Sequence, residues 1–275
     1  DSLAYAIDQN LASVISISYG DCEANFKASD FAFIDSAAQQ ANAQGQTIVG
    51  PSGDSGATDC DYSTTSTPTT IAAKGLAVDV PAASPNVTAV GGTTFSEANG
   101  ITYWSTNNNS SNGSALIYIP ETAWNDTTFE LANGGSLSAS GGGVSKNYAK
   151  PSWQAGTGVP ADGQRDVPDI AFNASFDHDG FITCSNGSCV NGYRQADQTL
   201  DIVGGTSAGV PTFAGVVALL NQKTGMRQGN LNPQLYALAS SAPYVFHDVT
   251  SGDNKVPCQL GTADCPSGGS IGYSA

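Results

Sequence analysis

The segment Gly204-Gly205-Thr206-Ser207-Ala208-Gly209-Val210-Pro211, followed by the apolar run Phe213 to Leu220, decides the fold of this chain. The residues before it, Leu200 to Val203, have the pattern of a short strand. The glycine pair permits unusual backbone angles, and Pro211 suits the first turn of a helix. The segment therefore predicts a strand, a tight turn and a helix. We expect the helix to be buried, because apolar residues cover most of its circumference, namely Phe213, Val216, Val217, Leu219 and Leu220.

Ser207 lies at the start of the predicted helix, and two interpretations of it are open. Unpaired backbone N–H groups and the helix dipole favour negative charge there, so a serine can act as a nucleophile if a neighbour accepts its proton. A serine in front of an apolar helix is more often an N-cap. Position alone favours the cap, whereas the preceding glycine pair favours the nucleophile.

Acidic residues dominate the charge of the chain. Its 275 residues include 24 Asp and Glu but only 9 Lys and Arg, which gives a formal net charge of −15 at pH 7. No basic stripe is present to neutralise phosphates, so a nucleic-acid partner is disfavoured. An acidic working environment is favoured, because carboxylates that repel one another at neutral pH become protonated there. No run of about 18 apolar residues occurs, so the sequence predicts no membrane-spanning segment.

The six cysteines form an even set, and their spacing predicts three disulfides. Two pairs are close in sequence and the third is distant, which gives Cys184–Cys189, Cys258–Cys265 and Cys22–Cys60. A zinc site is the weaker alternative, since neither close pair has Cys-x2-Cys spacing and the chain has only two histidines. Disulfides imply an oxidising compartment, so we expect a secreted, extracellular protein.

Helix-like and strand-like segments alternate along the first third of the chain. Helices are predicted over 2–12 and 29–44, and strands over 14–20, 46–50 and 87–92. This order predicts an α/β fold with a mostly parallel central sheet flanked by helices on both faces. Sites in such sheets form at the carboxyl ends of strands, where Ser18 to Gly20, Asp54 and Ser207 are expected. We expect a single domain over residues 1–275.

Five segments occur in an order that closely resembles the sedolisin family of serine-carboxyl peptidases, particularly its kumamolisin-like members. A lone Gly-Thr-Ser would be weak evidence, but the ordered set is specific and extends over nearly the whole chain. The resemblance implies a subtilisin-like fold and a Ser-Glu-Asp catalytic triad. The segments are Val14 to Gly20, Ser52 to Gly56, Pro81 to Thr93, Pro168 to Ile170 and Gly205 to Pro211.

The resemblance implies roles for individual residues. Ser207 matches the family's nucleophile, and Asp54 matches its oxyanion-hole aspartate. A carboxylic acid can donate a hydrogen bond to an oxyanion only while protonated, which low pH or an apolar site favours. Ser18 and Gly20 belong to the segment that matches the family's substrate-binding edge strand. Asp59 lies where the family has an acidic residue near the first specificity pocket, although a solvated acid is the alternative.

The resemblance also predicts two gaps. The family's catalytic Glu and Asp lie four residues apart on a helix well before the strand that contains Ser18, and this chain begins too close to Ser18 to include them. Asp248 and the Val249 carbonyl match two ligands of the family's Ca2+ site, whose remaining ligands would follow Ala275. We therefore expect a catalytic domain incomplete at both ends. A missing N-terminal segment or light chain and a removed propeptide are its expected partners.

These features predict a secreted acid endopeptidase that hydrolyses proteins or peptides through an acyl-enzyme at Ser207. Because the Glu and Asp are missing, we expect the isolated chain to be inactive. A non-catalytic secreted binding protein of the same fold is the second hypothesis. A subtilisin-type protease is the third and requires His178 or His247 as base. Neither histidine has the His-Gly-Thr setting of subtilisins, so we expect both to be surface histidines.

Overall fold

The structure is a computed structural model, which describes residues 2–63, 66–111, 113–184 and 194–275. Its helices are α1 (Ser2–Asp8), α2 (Ala28–Ala43), α3 (Thr127–Ala132), α4 (Thr206–Thr224) and α5 (Asn232–Ser241). Its strands are β1 (Val14–Ser16), β2 (Asp21–Cys22), β3 (Thr47–Pro51), β4 (Asp79–Val80), β5 (Thr88–Phe95), β6 (Glu121–Ala123), β7 (Gly143–Ala149), β8 (Gln164–Val167), β9 (Ile170–Asn173), β10 (Phe181–Thr183), β11 (Asp201–Val203), β12 (Val256–Pro257) and β13 (Ser270–Ile271).

Five of the described strands form the central sheet, in which β1, β3 and β5 are neighbours and β5 also pairs with β6 and β9. The pairs β1–β3, β3–β5 and β5–β9 are parallel, and only β6 is antiparallel. All five residues of β3 are buried, as expected for a strand of a parallel sheet covered on both sides. The predicted mostly parallel sheet is confirmed.

Helices cover both faces of this sheet. Successive residues of a strand point to opposite faces, and Ile48 and Val49 on β3 show the consequence. Ile48 lies in a cluster with Ile7 of α1 and three alanines of α2. Val49 lies in a second cluster with Phe213 and other residues of α4. The carboxyl ends of β1 and β3 therefore meet the beginning of α4 at one edge of the sheet.

The strand that precedes Ser207 does not belong to the central sheet. The sequence predicts a strand over 200–203 at the sheet's carboxyl edge, but β11 pairs antiparallel with β10 in a separate hairpin. Ile202 is 49% and Val203 43% exposed, so the hairpin lies on the surface. A short apolar run does not distinguish a central strand from a surface hairpin, which explains the error.

Helix α4 begins earlier than predicted and is less buried. Its N-cap is Gly205, at φ +81°, so Ser207 is a helical residue and not the cap. Pro211 lies in the second turn, and because it has no N–H, the carbonyl of Ser207 lacks its usual intrahelical donor. Val216 and Leu219 are 49% and 66% exposed, which contradicts the predicted burial. Only the face that carries Val210, Phe213 and Val217 packs against the sheet.

Two of the predicted disulfides are present, Cys22–Cys60 and Cys258–Cys265. Cys184 is also disulfide-bonded, but its predicted partner Cys189 lies outside the described residues. The Cys22–Cys60 bridge joins β2 to the turn after β3, next to the edge where Asp54 lies. Across the described part of the chain, every helix is too short or too polar to cross a bilayer.

Candidate active site

A cleft of about 230 Å³ lies where the carboxyl ends of β1 and β3 meet the first turn of α4. It brings together all five residues that the sequence assigns to catalysis and substrate binding, although they are distant in the chain. Its lining consists of Ser18, Tyr19, Gly20, Asp21, Pro51, Gly53, Asp54, Ser55, Asp59, Tyr62, Asp79, Thr206 and Ser207.

The backbone carbonyl of Ser207 accepts a hydrogen bond from another segment, whereas its hydroxyl has no hydrogen-bond partner among the described residues. The Ser18 hydroxyl donates a hydrogen bond to the Ser207 carbonyl at 3.0 Å. This is the carbonyl that Pro211 leaves without an intrahelical donor, so the segment after β1 replaces the missing bond. Among the described residues, none forms a hydrogen bond with the Ser207 hydroxyl. The side chain is half-buried and lies in the cleft.

Asp54 is bound to the residue next to Ser207. Its Oδ1 accepts hydrogen bonds from the backbone N–H and from the hydroxyl of Thr206, both at 2.8 Å. The side chain is open to the cleft, yet protein atoms crowd the carboxyl group elsewhere. This desolvation raises the pKa of Asp54, and the two bonds from Thr206 oppose the shift. Oδ2 faces Gly205, where an added Cβ would come within 2.5 Å of it.

Two further carboxyl groups lie buried beneath the cleft. Asp59 and Asp79 are each 4% exposed. Burial, and then the charge of Asp54, raises the pKa of Asp59 to about 7. Burial, followed by the charges of Asp59 and Asp54, raises the pKa of Asp79 well above its ordinary value. Asp59 Oδ2 and Asp79 Oδ1 have no hydrogen-bond partner among the described residues. Asp59 is therefore not the solvated surface acid that remained an alternative.

Glycine is required where these acids approach the backbone. A Cβ at Gly20 would lie 2.0 Å from Asp79 Oδ1, and one at Gly53 would lie 2.4 Å from Asp59 Oδ1. Real Cβ atoms do not approach oxygen so closely, so a side chain at either position would displace a buried carboxyl group. Gly53 also has φ +104°, a conformation that other residues rarely adopt.

The sequence interpretation missed four residues of this site: Asp21, Tyr62, Asp79 and Thr206. Asp79 had a signal, because it is a single acid inside the apolar run from Ala77 to Val80. Thr206 had none beyond its position beside Ser207. Asp21 and Tyr62 reach the cleft through tertiary contacts, since the Tyr62 hydroxyl donates to Asp21 at 3.1 Å.

Both histidines lie outside the cleft, as predicted for surface histidines. His178 contacts Glu97 and Asp179, and about half of its side chain is exposed. His247 stacks on Tyr118 with ring centroids 3.4 Å apart. Neither lines the cleft that contains Ser207. This arrangement does not supply the histidine base that a subtilisin-type triad requires.

The predicted calcium ligands do not form a site by themselves. Asp248 is exposed, and Val249 is half-buried. Calcium takes about six to eight oxygen ligands. Among the described residues, Asp248 belongs to no group of three acidic, histidine or cysteine side chains close enough to share an ion. The one such group that these residues contain, Glu97, His178 and Asp179, includes neither predicted ligand.

Comparison with known proteins identifies the family. The model of the subtilase family matches residues 1–235, which is most of the chain. The chain belongs to the subtilase family. In this subtilase, the matched region includes the residues that line the cleft and the whole of helix α4.

Relatives of this subtilase confirm the predicted resemblance to sedolisins. Kumamolisin from Bacillus sp. (strain MN-32) is 37% identical over 252 residues, covering 89% of this chain and 37% of the relative. Sedolisin from Pseudomonas sp. (strain 101) is 36% identical over 259 residues, covering 90% of this chain and 36% of the relative. Human tripeptidyl-peptidase 1 is 30% identical over 250 residues, covering 88% of this chain and 36% of the relative. The chain spans little more than a third of the length of these relatives.

A solved structure supports the fold. Pseudomonas sedolisin, a serine-carboxyl proteinase complexed with two molecules of pseudo-iodotyrostatin, matches this subtilase with a TM-score of 0.70 at 32% identity. The match covers 100% of this chain and 62% of the sedolisin chain. The predicted subtilisin-like fold is confirmed.

Proposed function

We propose that this subtilase is part of an acid serine endopeptidase, with Ser207 as nucleophile and Asp54 as oxyanion donor. The hydrogen bonding of Asp54 carries the proposal. Because Oδ1 already accepts two bonds from Thr206, Oδ2 is the oxygen that holds the proton when the group is neutral. A proton on Oδ2 can be donated to an oxyanion formed beside Ser207. The raised pKa of Asp54 extends the pH range in which that proton is present.

In the proposed reaction, the Ser207 hydroxyl attacks the carbonyl carbon of a peptide bond and loses its proton to a carboxylate base. The new C–O bond leaves negative charge on the carbonyl oxygen, which Asp54 stabilises. The C–N bond then breaks, the base returns the proton to the leaving amine, and water hydrolyses the acyl-enzyme. A glutamate suits this role at acidic pH, where histidine would be charged.

Substrate is proposed to extend along the segment that follows β1. Strand β1 pairs only with β3 among the described strands, so its other side is free for strand addition. Ser18 and Gly20 lie in the continuation of this strand and line the cleft. Asp59 lies beneath them and contributes to the pocket for the residue before the scissile bond. Proteins and peptides are the expected substrates.

The isolated chain is proposed to be inactive. The Ser207 hydroxyl has no hydrogen-bonded base among the described residues, and the cleft lining contains no histidine or glutamate. The glutamate and aspartate that the sedolisin resemblance implies would come from outside the 275 residues. Loss of a triad base in serine peptidases costs on the order of 10^4 in kcat or more.

The test compares peptide hydrolysis at acidic pH by two proteins: the 275-residue chain and the product of the complete reading frame that contains it. We expect the longer product to cleave and its Ser207→Ala variant to be inactive, with Ser29→Ala on α2 as the matched control. Asp54→Asn should lower kcat by about 10^2 to 10^3. Cleavage that survives Ser207→Ala refutes the nucleophile. Rapid Ser207-dependent cleavage by the 275-residue chain refutes the proposal that this chain lacks the catalytic base.

A non-catalytic secreted binding protein remains the second candidate. The specific observation in its favour is the unengaged Ser207 hydroxyl. A longer product that binds peptides in the cleft without ever cleaving them would establish this candidate instead.

The remaining proposals concern domain, location and metal. Residues 1–275 are proposed to be one catalytic domain, incomplete at both ends, of a secreted protein, which the disulfides support. Asp248 and the Val249 carbonyl are proposed as two ligands of a Ca2+ site completed from outside this chain. Calcium titration of the longer product and its Asp248→Asn variant tests this role.

A further inference from the structure

A second cavity of about 340 Å³ borders the candidate active site. Asp54 is the one described residue that it shares with the cleft, so the two cavities lie on different sides of that carboxyl group. Gly204 and Gly205, which line the second cavity, lead directly into Thr206 and Ser207. The described residues that line it are Asp54, Trp124, Glu130, Ser136, Leu137, Ser138, Phe176, Gly204 and Gly205.

The position of this cavity indicates which half of a substrate it would bind. The cleft holds Ser18 and Gly20, which are proposed to bind the acyl half, before the scissile bond. A chain that passes over Ser207 and Asp54 and leaves the cleft must continue on the other side of Asp54. The second cavity therefore faces the leaving-group half, after the scissile bond. This step rests on the proposed function.

Rigid apolar side chains form the walls of the cavity. Trp124 is 1% exposed, and its Nε1 donates to Asp126 at 2.6 Å. Phe176 contacts Trp124 edge to face, with ring centroids 6.5 Å apart. Leu137 is buried on the cavity wall. Such walls suit the methylene groups of a long side chain, and an aromatic face also attracts a cation.

Glu130 provides the polar element of the lining. Its side chain is half-buried, and among the described residues its carboxylate makes no hydrogen bond or ion pair. Burial, and then the charges of Asp126 and Glu130, raise the pKa of Asp177 to about 6, so these three acids lie close enough to affect one another. The described residues of the lining include no Lys or Arg to neutralise the Glu130 carboxylate.

We propose that this cavity binds a cationic side chain, arginine or lysine, at the substrate position directly after the scissile bond. The methylene groups pack on Phe176 and Leu137, and the cationic head pairs with the Glu130 carboxylate. Charge-assisted pairing of a partly buried carboxylate with a guanidinium is about twice as strong as a neutral hydrogen bond. The cavity thus selects the residue that becomes the new amino terminus.

Two dipeptide amides test the proposal, because they mimic the leaving group and bind without any catalysis. Arg-Ala-NH2 and norleucine-Ala-NH2 are titrated into the isotope-labelled Ser207→Ala chain, with affinities read from NMR shifts. We expect the arginine probe to bind about tenfold more tightly. Glu130→Gln should reduce this ratio to about two or less, while Asp8→Asn, the same charge change on exposed α1, should leave it intact.

Two further measurements show where the probe binds and exclude misfolding of a variant as the cause of weak binding. Phe176→Ala should weaken both probes, whereas Tyr19→Ala, in the cleft, should weaken neither. In the unmutated cavity, added salt should lower the affinity for the arginine probe more than for the norleucine probe. Equal affinities, an arginine preference that survives Glu130→Gln, or sensitivity to Tyr19→Ala alone would each overturn the proposal. A longer product that never cleaves peptides would refute the proposed function but leave the binding result standing.

Discussion

The hydroxyl of Ser18 donates a hydrogen bond to the backbone carbonyl of Ser207, across 189 residues of sequence. Pro211 makes this contact possible, because a proline inside α4 cannot donate to the carbonyl four residues before it. The proposed substrate-binding segment and the proposed nucleophile are thus joined by one bond. The stability of this contact is therefore expected to depend on both Ser18 and Pro211.

A double-mutant cycle should detect this coupling. Ser18→Ala removes the bond and should lower the free energy of unfolding by about 1 kcal/mol. Pro211→Ala restores an N–H that can reach the Ser207 carbonyl within the helix, so in this background Ser18→Ala should cost clearly less. Urea denaturation of the four proteins measures the coupling. Ser29→Ala on α2 is the control, and an equal cost of Ser18→Ala in both backgrounds would exclude the proposed role of Pro211.

Stability should fall as the pH rises from about 4 to about 7, because buried Asp59 has a pKa raised to about 7 from 3.8. A raised pKa means that the folded state binds the proton more tightly than the unfolded state. The contribution is therefore complete below the unfolded value and is lost as the pH passes the folded one. We expect a loss on the order of 2 to 4 kcal/mol, measured by urea denaturation across this range.

The pH dependence should become shallower in Asp59→Asn. Asparagine does not titrate, so the contribution of Asp59 to the change between about pH 4 and pH 7 should disappear, whereas that of Asp79 remains. Asp162→Asn provides the control, because the backbone N–H of Gln164 lowers the pKa of that exposed carboxyl group. An Asp59→Asn profile as steep as that of the parent chain would show that other carboxyl groups dominate.

Gly205→Ala should destabilise the chain more than Gly225→Ala. Both glycines have positive φ, +81° and +68°; Gly205 is the N-cap of α4 and Gly225 is its C-cap. An alanine at 225 would contact nothing within 4 Å, so its cost is conformational, about 1 kcal/mol. At 205 the new Cβ also meets Asp54 Oδ2 at 2.5 Å, and the total should reach about 3 kcal/mol. Thermal unfolding measures both, and equal costs would mean that Asp54 moves freely.

Calcium should not stabilise the isolated 275-residue chain. Two proposed ligands, Asp248 and the Val249 carbonyl, fall far short of the six or so oxygens that the ion requires. We therefore expect equal melting temperatures in millimolar Ca2+ and in chelator, and no change from Asp248→Asn. A stabilisation that depends on Asp248 would show that the chain completes the site with backbone carbonyls of its own.

Much of the site could be predicted because local motifs encode it. Ser207, Asp54 and the segment from Ser18 to Gly20 each follow a recognisable strand or precede a recognisable helix, and the cleft contains them all. The predicted strand over 87–92 likewise coincides, apart from Val87, with β5 in the central sheet. Parallel strands place their carboxyl ends together, so order along the chain was enough to predict proximity.

Other features depend on tertiary contacts that the sequence does not display. The hairpin position of β11 was missed, because the three apolar residues of the predicted strand over 200–203 fit a surface hairpin as well as a core strand. The exposure of Val216 and Leu219 was missed, because hydrophobicity alone does not reveal whether a neighbour covers a helix face. Thr206 was missed, because its role arises from Asp54, which lies 152 residues earlier.

The hairpin that leads to Ser207 gives the protein engineer a permissive position. Helix α4 is anchored on the sheet by Phe213 and Val217, whereas β10 and β11 pair with each other at the surface. Substitutions at the exposed residues Ile202 and Val203 can therefore change the surface of this hairpin without altering the contacts that anchor α4. A fluorescent reporter attached at Ile202 would lie five residues before Ser207 in the chain, and the core would need no redesign.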